Sequence, residues 1–339
     1  MSTVSTDAVV KASVWEGAWS FGLVSRVSDY LELAKPRIAV MVLLTVSVGY
    51  VLGSAGSWAC GPWLWACAGI ALAATGASAF NQWLEWETDG LMRRTRRRPL
   101  PAGRLSAREA VGFAATTSLL GLGCLLWGVN ALTAALTALS CLLYAFVYTP
   151  LKRCTAVCTA VGAIPGALPP VLGWTAAGHG LDGHAWALFA MLFLWQFPHF
   201  LAIAWLYQED YAAAGLRMLP LVRPPGNSAG GPARPLPHVT GLLALGYAVG
   251  LVPVSLLPAA LGLAGPWYAA AALVLGAVYV GTAAAFACGE SRRSARRLLW
   301  SSLVYLPVVL IVLAGDHVRL LTASWGPAPT VLAAGTGEK

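Results

Sequence analysis

Charge is what this sequence has least of. Asp, Glu, Lys and Arg make up 11% of the 339 residues against 58% for apolar types, and mean hydropathy is +0.68. A soluble domain of this length needs far more polar surface, so a water-soluble enzyme or binding module is excluded. Acidic residues are the scarcer sign, leaving a formal charge of +8. In a soluble chain that excess would suggest nucleic acid. Here the basic residues lie in short loops between apolar runs, so membrane topology accounts for them and no nucleic-acid partner is expected. Paired cysteines are missing too. The seven cysteines contain no CxxC pair, and Cys154 and Cys158, four apart, read as small buried thiols. The first residues include Asp7 and Glu16 and no early apolar core, which fits neither a signal peptide nor a transit peptide.

Apolar runs of bilayer length are abundant, and they define an all-α polytopic membrane protein. Nine spans are expected: Ile38–Ser54, Pro62–Leu84, Ala110–Gly128, Ala131–Tyr148, Thr155–Trp174, Ala185–Tyr207, Val239–Pro258, Trp267–Cys288 and Leu298–Ala314. The fifth carries Pro165, Pro169 and Pro170 and should be kinked or broken. The expected organisation is an N-terminal cytoplasmic segment 1–37, a transmembrane domain 38–315 and a short outer tail 316–339. Segment 1–37 ends in Lys35-Pro36-Arg37, read as a basic stretch lying against the membrane surface. The polar connections 85–109 and 208–237 are the two long enough to form a cap. Orientation follows from basic residues: the N-terminal segment and the loops after spans two, four, six and eight hold 20 of the 22 Lys and Arg. The loops after the odd-numbered spans hold none, so the N-terminus and the even loops are expected inside.

The second span ends unusually, collecting three carboxylates and then five arginines within six residues. Even on lenient scales a charge deep in hydrocarbon costs roughly 2.5–3.5 kcal/mol, and the rim relieves only part of that. Asn81, Glu85 and Asp89 are spaced i, i+4 and i+8, one face of a helix. Oxygen ligands stacked this way suit Mg²⁺, which is usually held by a few carboxylates together with substrate phosphates. Arg94 and Arg98, just beyond, suit the phosphates. A salt-bridge ladder with a topology anchor would explain the arginines alone, but an anchor has no use for the carboxylates. Glu87, two residues from Glu85, points roughly 200° away and ranks below the other acids.

The expected orientation brings further polar groups to the same rim. Glu209 and Asp210, followed by Tyr211, form a second acidic pair after span six. Tyr148, Lys152 and Arg153 follow span four. Two acidic clusters on separate helix ends could hold a diphosphate between them through Mg²⁺, with Lys152 and Arg153 on its oxygens. For these two cations alone, topology anchoring is the preferred explanation. His199, about two turns inside the cytoplasmic end of span six at roughly 1.5 Å per residue, is open to two readings. It is either a hydrogen-bonded core residue or a ligand.

The first motif, Asn81, Glu85, Asp89, Met92, Arg94, Thr95, Arg98, Pro99 and Leu100, resembles that of the UbiA-type membrane prenyltransferases. Further stretches resemble the heme-modifying branch of that superfamily. They are Tyr148 to Arg153, Gly162 to Trp174, Trp195 to Phe200, Glu209 to Tyr211 with Met218 to Pro220, and Ser302 to Pro307. Together they run through residues 30–315 in the expected order. The resemblance implies about nine helices around a cavity open to the cytoplasmic side. It implies Mg²⁺-dependent farnesyl transfer from farnesyl diphosphate to a vinyl group of heme B, in a bacterial plasma membrane. Asn81, Glu85, Asp89, Glu209 and Asp210 would be metal-holding and catalytic, and heme A synthase is a candidate partner. One departure is Glu87, where many family members have Asp. Two rivals stand beside this reading: a related prenyltransferase with a quinone-ring or chlorophyll-type acceptor, and a transporter. Intramembrane acids mark ion paths in transporters, but the acids here gather at one rim.

Overall fold

The computed structural model describes residues 25–219 and 238–324, and they are helical with no strand among them. A short helix over 25–34 (α1) leads to α2 (Pro36–Gly53), α3 (Cys60–Leu91), α4 (Ala107–Gly128) and α5 (Ala131–Leu151). Then come α6 (Cys158–Ala167), α7 (Pro169–Ala176), α8 (Gly183–Leu206) and a short α9 (Gln208–Ala213). The last three are α10 (Val239–Ala260), α11 (Pro266–Cys288) and α12 (Arg292–Ser324). Eight of these are long and apolar enough to cross a membrane. The fifth expected span is the exception: it is broken at Leu168 into α6 and α7. Pro169 and Pro170 supply no backbone N–H there, so the helix cannot run through.

Two spans outrun their apolar runs. α3 continues through the acidic stretch to Leu91, its buried Glu85 and Asp89 finding cationic partners and Glu87 facing out. α12 passes the expected end at Ala314 and is helical to Ser324. Asp316 explains the extension: its Oδ2 accepts from the Gly265 and Tyr268 backbone N–H groups at 2.7 and 3.1 Å, at the start of α11. The first part of the expected tail, residues 316–324, thus continues α12. Cys158 is buried as expected, whereas Cys154 is exposed. The part of the 208–237 cap beyond Leu219 lies outside the described residues.

α3 lies along α4, α2 against α7, and α10 between α8 and α11, while α12 closes onto α11, α8 and α2. Glycine sets the α2–α7 approach. A Cβ on Gly173 would sit 1.9 Å from the Val46 carbonyl oxygen, and one on Gly49 2.0 Å from that of Pro170. Both obstacles are backbone, so neither helix can yield locally. Overpacking of this kind costs about 1–3 kcal/mol. Gly173→Ala should therefore lower the thermal unfolding midpoint of the detergent-solubilised protein; an unchanged midpoint would show that α2 and α7 slide apart freely. Away from these contacts large apolar side chains face outward, among them Trp127 at 91% exposure and Leu119 at 71%. Apolar surface on this scale belongs against lipid acyl chains.

Candidate active site

At the cytoplasm-facing end expected for α3, Asn81, Glu85 and Asp89 share one face, as the i+4 spacing requires, and all three are buried. Trp86 and Glu87, on the opposite face, are exposed. Each buried acid meets a cation. Lys152 Nζ donates to Glu85 Oε1 at 2.7 Å, and Arg98 Nη1 to Asp89 Oδ2 at 2.6 Å. Asp89 is only 1% exposed in its side chain, yet Oδ1 has no hydrogen-bond partner among the described residues. A buried carboxylate oxygen left open this way fits a further cation, because such an atom is costly to leave unpaired.

Lys152 follows α5, whose last turns widen into a π-helical stretch, Leu143–Tyr148. Such stretches are frequent at functional sites. Its ammonium lies 4.4 Å from the centroid of the Tyr148 ring, which stacks on Tyr144 at 5.8 Å. Gly162 makes room for Tyr148, since a Cβ there would approach its ring to 2.6 Å. Burial alone would lower the Lys152 pKa, but Tyr148, Glu85 and Tyr144 outweigh it and hold the ammonium above the usual lysine range.

A third cation was not visible in the sequence. Lys35, read as a membrane-surface anchor, is turned inward and donates to Asn81 Oδ1 at 3.0 Å. It occupies the left-handed region at φ 51, a costly conformation for a residue with a side chain, kept only where surroundings enforce it. Those surroundings are on both sides. Gln82 Nε2 donates to the Leu33 carbonyl at 2.8 Å. Arg104, in the loop after α3, holds Asp29 at 2.6 Å and Glu32 at 2.8 Å, so α1 is tied to that loop. Burial, then the nearby Arg98, pushes the Lys35 pKa down to about 7 despite the acids. Asn81 completes the ring by donating from Nδ2 to Thr149 Oγ1 at 3.0 Å.

The other sequence-predicted residues lie further out. Arg94 is exposed, 4.9 Å from the Tyr207 ring centroid. Arg153 is exposed and reaches the Leu84 carbonyl at 3.5 Å. Asp210 and Tyr211 are half-buried on α9, while the Glu209 side chain is 85% exposed and stands 4.0 Å from Arg292. Among the described residues no group of three or more His, Cys, Asp and Glu is close enough to hold a metal. The five oxygen-bearing residues are thus not gathered into one cage. The segment after α9 is nevertheless tied to the Lys152 side of the rim, for Arg217 N donates to the Lys152 carbonyl at 2.8 Å. His199 lies deeper on α8, its Nδ1 2.8 Å from Ser302 Oγ on α12.

Buried carboxylates and three cations thus share one rim of a multi-pass helical membrane bundle. The chain belongs to the UbiA prenyltransferase family, whose pattern matches residues 42–332. A relative from Solibacter usitatus, named protoheme IX farnesyltransferase, is 43% identical over 290 residues, covering 83% of this chain and 96% of its own. One from Koribacter versatilis with the same name is 40% identical over 87% of this chain and 95% of its own. The fold matches a UbiA homolog from Archaeoglobus fulgidus bound to GPP and Mg²⁺, with TM-score 0.53 and 16% identity over 85% of this chain and 99% of that one.

Proposed function

We propose that this chain transfers the farnesyl group of farnesyl diphosphate to a vinyl group of heme B, yielding heme O. The observation that carries it is the buried cluster of Lys35, Lys152 and Arg98 around Asn81, Glu85 and Asp89. The relatives' shared name supplies the acceptor. Lys152, Lys35 and Arg98 bind the diphosphate oxygens, and Glu85 and Asp89, whose Oδ1 is unpartnered among the described residues, would hold the divalent ion. Mg²⁺ there would neutralise charge on the leaving diphosphate. The allylic C–O bond breaks, the vinyl carbon forms the new C–C bond, and water takes the resulting cation with loss of a proton. Apolar walls keep water from the allylic cation before that. Asp210, Glu209 and Tyr211 approach the same rim on α9 and complete the diphosphate site when α9 turns toward it. Arg94 and Arg153 guide the anion from outside. His199 meets the heme iron through its imidazole, a common ligand for it.

Mass spectrometry of hemes from cells with and without this gene is the decisive test. Heme O should appear only with the gene. Its absence, with a prenylated aromatic acid formed instead, would move the chain to another branch of the family.

We further place the site on the cytoplasmic side of a bacterial cell membrane, with heme A synthase as the consumer of the product. The loop charges support this orientation. In intact cells a membrane-impermeant maleimide should label exposed Cys60 and fail to label Arg96→Cys. The converse pattern would invert the topology.

A further inference from the structure

Ser302 belongs to the stretch Ser302 to Pro307, to which the chemistry above gives no part. It is fully buried on α12. Its hydroxyl oxygen lies 2.6 Å from the Leu299 carbonyl oxygen and 2.8 Å from His199 Nδ1. Two oxygens at 2.6 Å require a proton between them, and a carbonyl has none to give. The single Ser302 proton is therefore committed to Leu299. Toward His199 the hydroxyl can only accept, so Nδ1 must carry hydrogen, and a neutral imidazole then leaves Nε2 bare.

The ring is fixed as well as the tautomer. It stacks on Trp195 at 5.2 Å with an interplanar angle of 23°. The Trp195 indole N–H donates to the Ser302 backbone carbonyl at 3.0 Å, and Tyr279 Oη donates to the Trp195 carbonyl at 3.1 Å. Thus one residue of α12 holds the imidazole through its side chain and the supporting indole through its backbone. His199 is only half-buried, and no partner meets Nε2 among the described residues.

We infer that Ser302 is a positioning residue: it locks His199 in the Nδ1–H tautomer and so presents Nε2 as an open lone pair to the acceptor's iron. The inference rests on the proposed contact between His199 and heme. Histidines that ligate metals generally donate their other N–H to an acceptor, and loss of that acceptor costs about 10–100-fold in affinity.

The test uses the full chain in detergent, titrated with ferric heme B and followed by the Soret band. Ser302→Ala should weaken heme binding about 10–100-fold and alter the ligand-sensitive bands, with farnesyl diphosphate binding unchanged. Ser302→Thr, which keeps the hydroxyl, should bind more tightly than Ser302→Ala; equal weakness in both would count against the hydroxyl. If Ser302→Ala matches the wild type while His199→Ala loses the imidazole-ligated spectrum, the positioning role is overturned and the His199 contact stands. If His199→Ala also matches the wild type, the contact itself is wrong and the inference goes with it. ¹⁵N-histidine NMR of the heme-free wild-type protein reads the tautomer without any folding risk, with His199→Ala as the assignment control. A proton on Nδ1 is expected; one on Nε2 overturns the inference.

Discussion

Glu85→Gln is expected to lower turnover by about 10²–10³-fold, the usual worth of a group that stabilises developing charge on a leaving group. Protein levels in the membrane should stay near normal. Gln keeps the length of the side chain and an oxygen that can still accept from Lys152, now 2.7 Å from Glu85 Oε1. What disappears is one negative charge. Asp89→Asn should behave alike, since Arg98 can still donate to the remaining oxygen. Removing one partner of a buried pair costs about 3–5 kcal/mol in a dry interior, and less here, where the Glu85 and Lys152 side chains remain 11% and 13% exposed. Loss of folding must therefore be separated from loss of chemistry. In Glu85→Gln/Lys152→Met the uncompensated ammonium is gone too. If Glu85 serves only to neutralise Lys152, this double variant recovers stability and the kcat reached at saturating farnesyl diphosphate; if Glu85 holds the metal, stability returns and kcat does not. Near wild-type turnover in well-folded Glu85→Gln and Asp89→Asn proteins would sink the metal assignment.

The part of this site that follows helical periodicity was legible in the sequence. Asn81, Glu85 and Asp89 fall on one face because α3 stays regular to Leu91, and Glu87 is turned out by the same geometry. The proline-broken fifth span was legible for a similarly local reason. Lys35 was not, because its inward turn depends on α1 being clamped by Arg104 and Gln82, contacts 49 to 75 residues apart in the chain. A lysine before proline at a membrane edge looks like an anchor. The signal lay in Gln82, a neutral polar residue inside an apolar span that an anchor reading leaves unexplained. Glu209 and Asp210 read as a matched pair, but neighbours on a helix diverge by about 100°, and here the Glu209 side chain is 85% exposed while Asp210 is half-buried. The chain also restarts as α9 after Tyr207, at φ −111 and ψ 20, which redirects both side chains. The end of α12 was hidden because hydropathy cannot register Asp316 reaching the start of α11.

The same contrast between inward and outward cations yields the other large expected effect. Lys152→Met should raise the KM for farnesyl diphosphate by about 10–100-fold, since a hydrogen bond to a charged group is worth about 1.5–3 kcal/mol. Lys35→Met should do likewise, its ammonium being the cation that reaches Asn81. Arg93→Gln, Arg96→Gln and Arg97→Gln, at exposed positions, should leave KM unchanged, because salt and water screen charges there. Lys152→Arg should restore little: the pocket formed by the Tyr148 ring and Glu85 holds a compact point charge, and a planar guanidinium has a different shape and reach. Lys152→Met strands Glu85, so Glu85→Gln/Lys152→Met again serves as the folded reference, and equilibrium binding of a nonhydrolysable farnesyl diphosphate analogue replaces turnover as its readout. If the two Met variants and the three Gln variants all shifted KM by the same small factor, the rim would act only as a diffuse positive field, and the assignment of Lys35 and Lys152 to the diphosphate would fail.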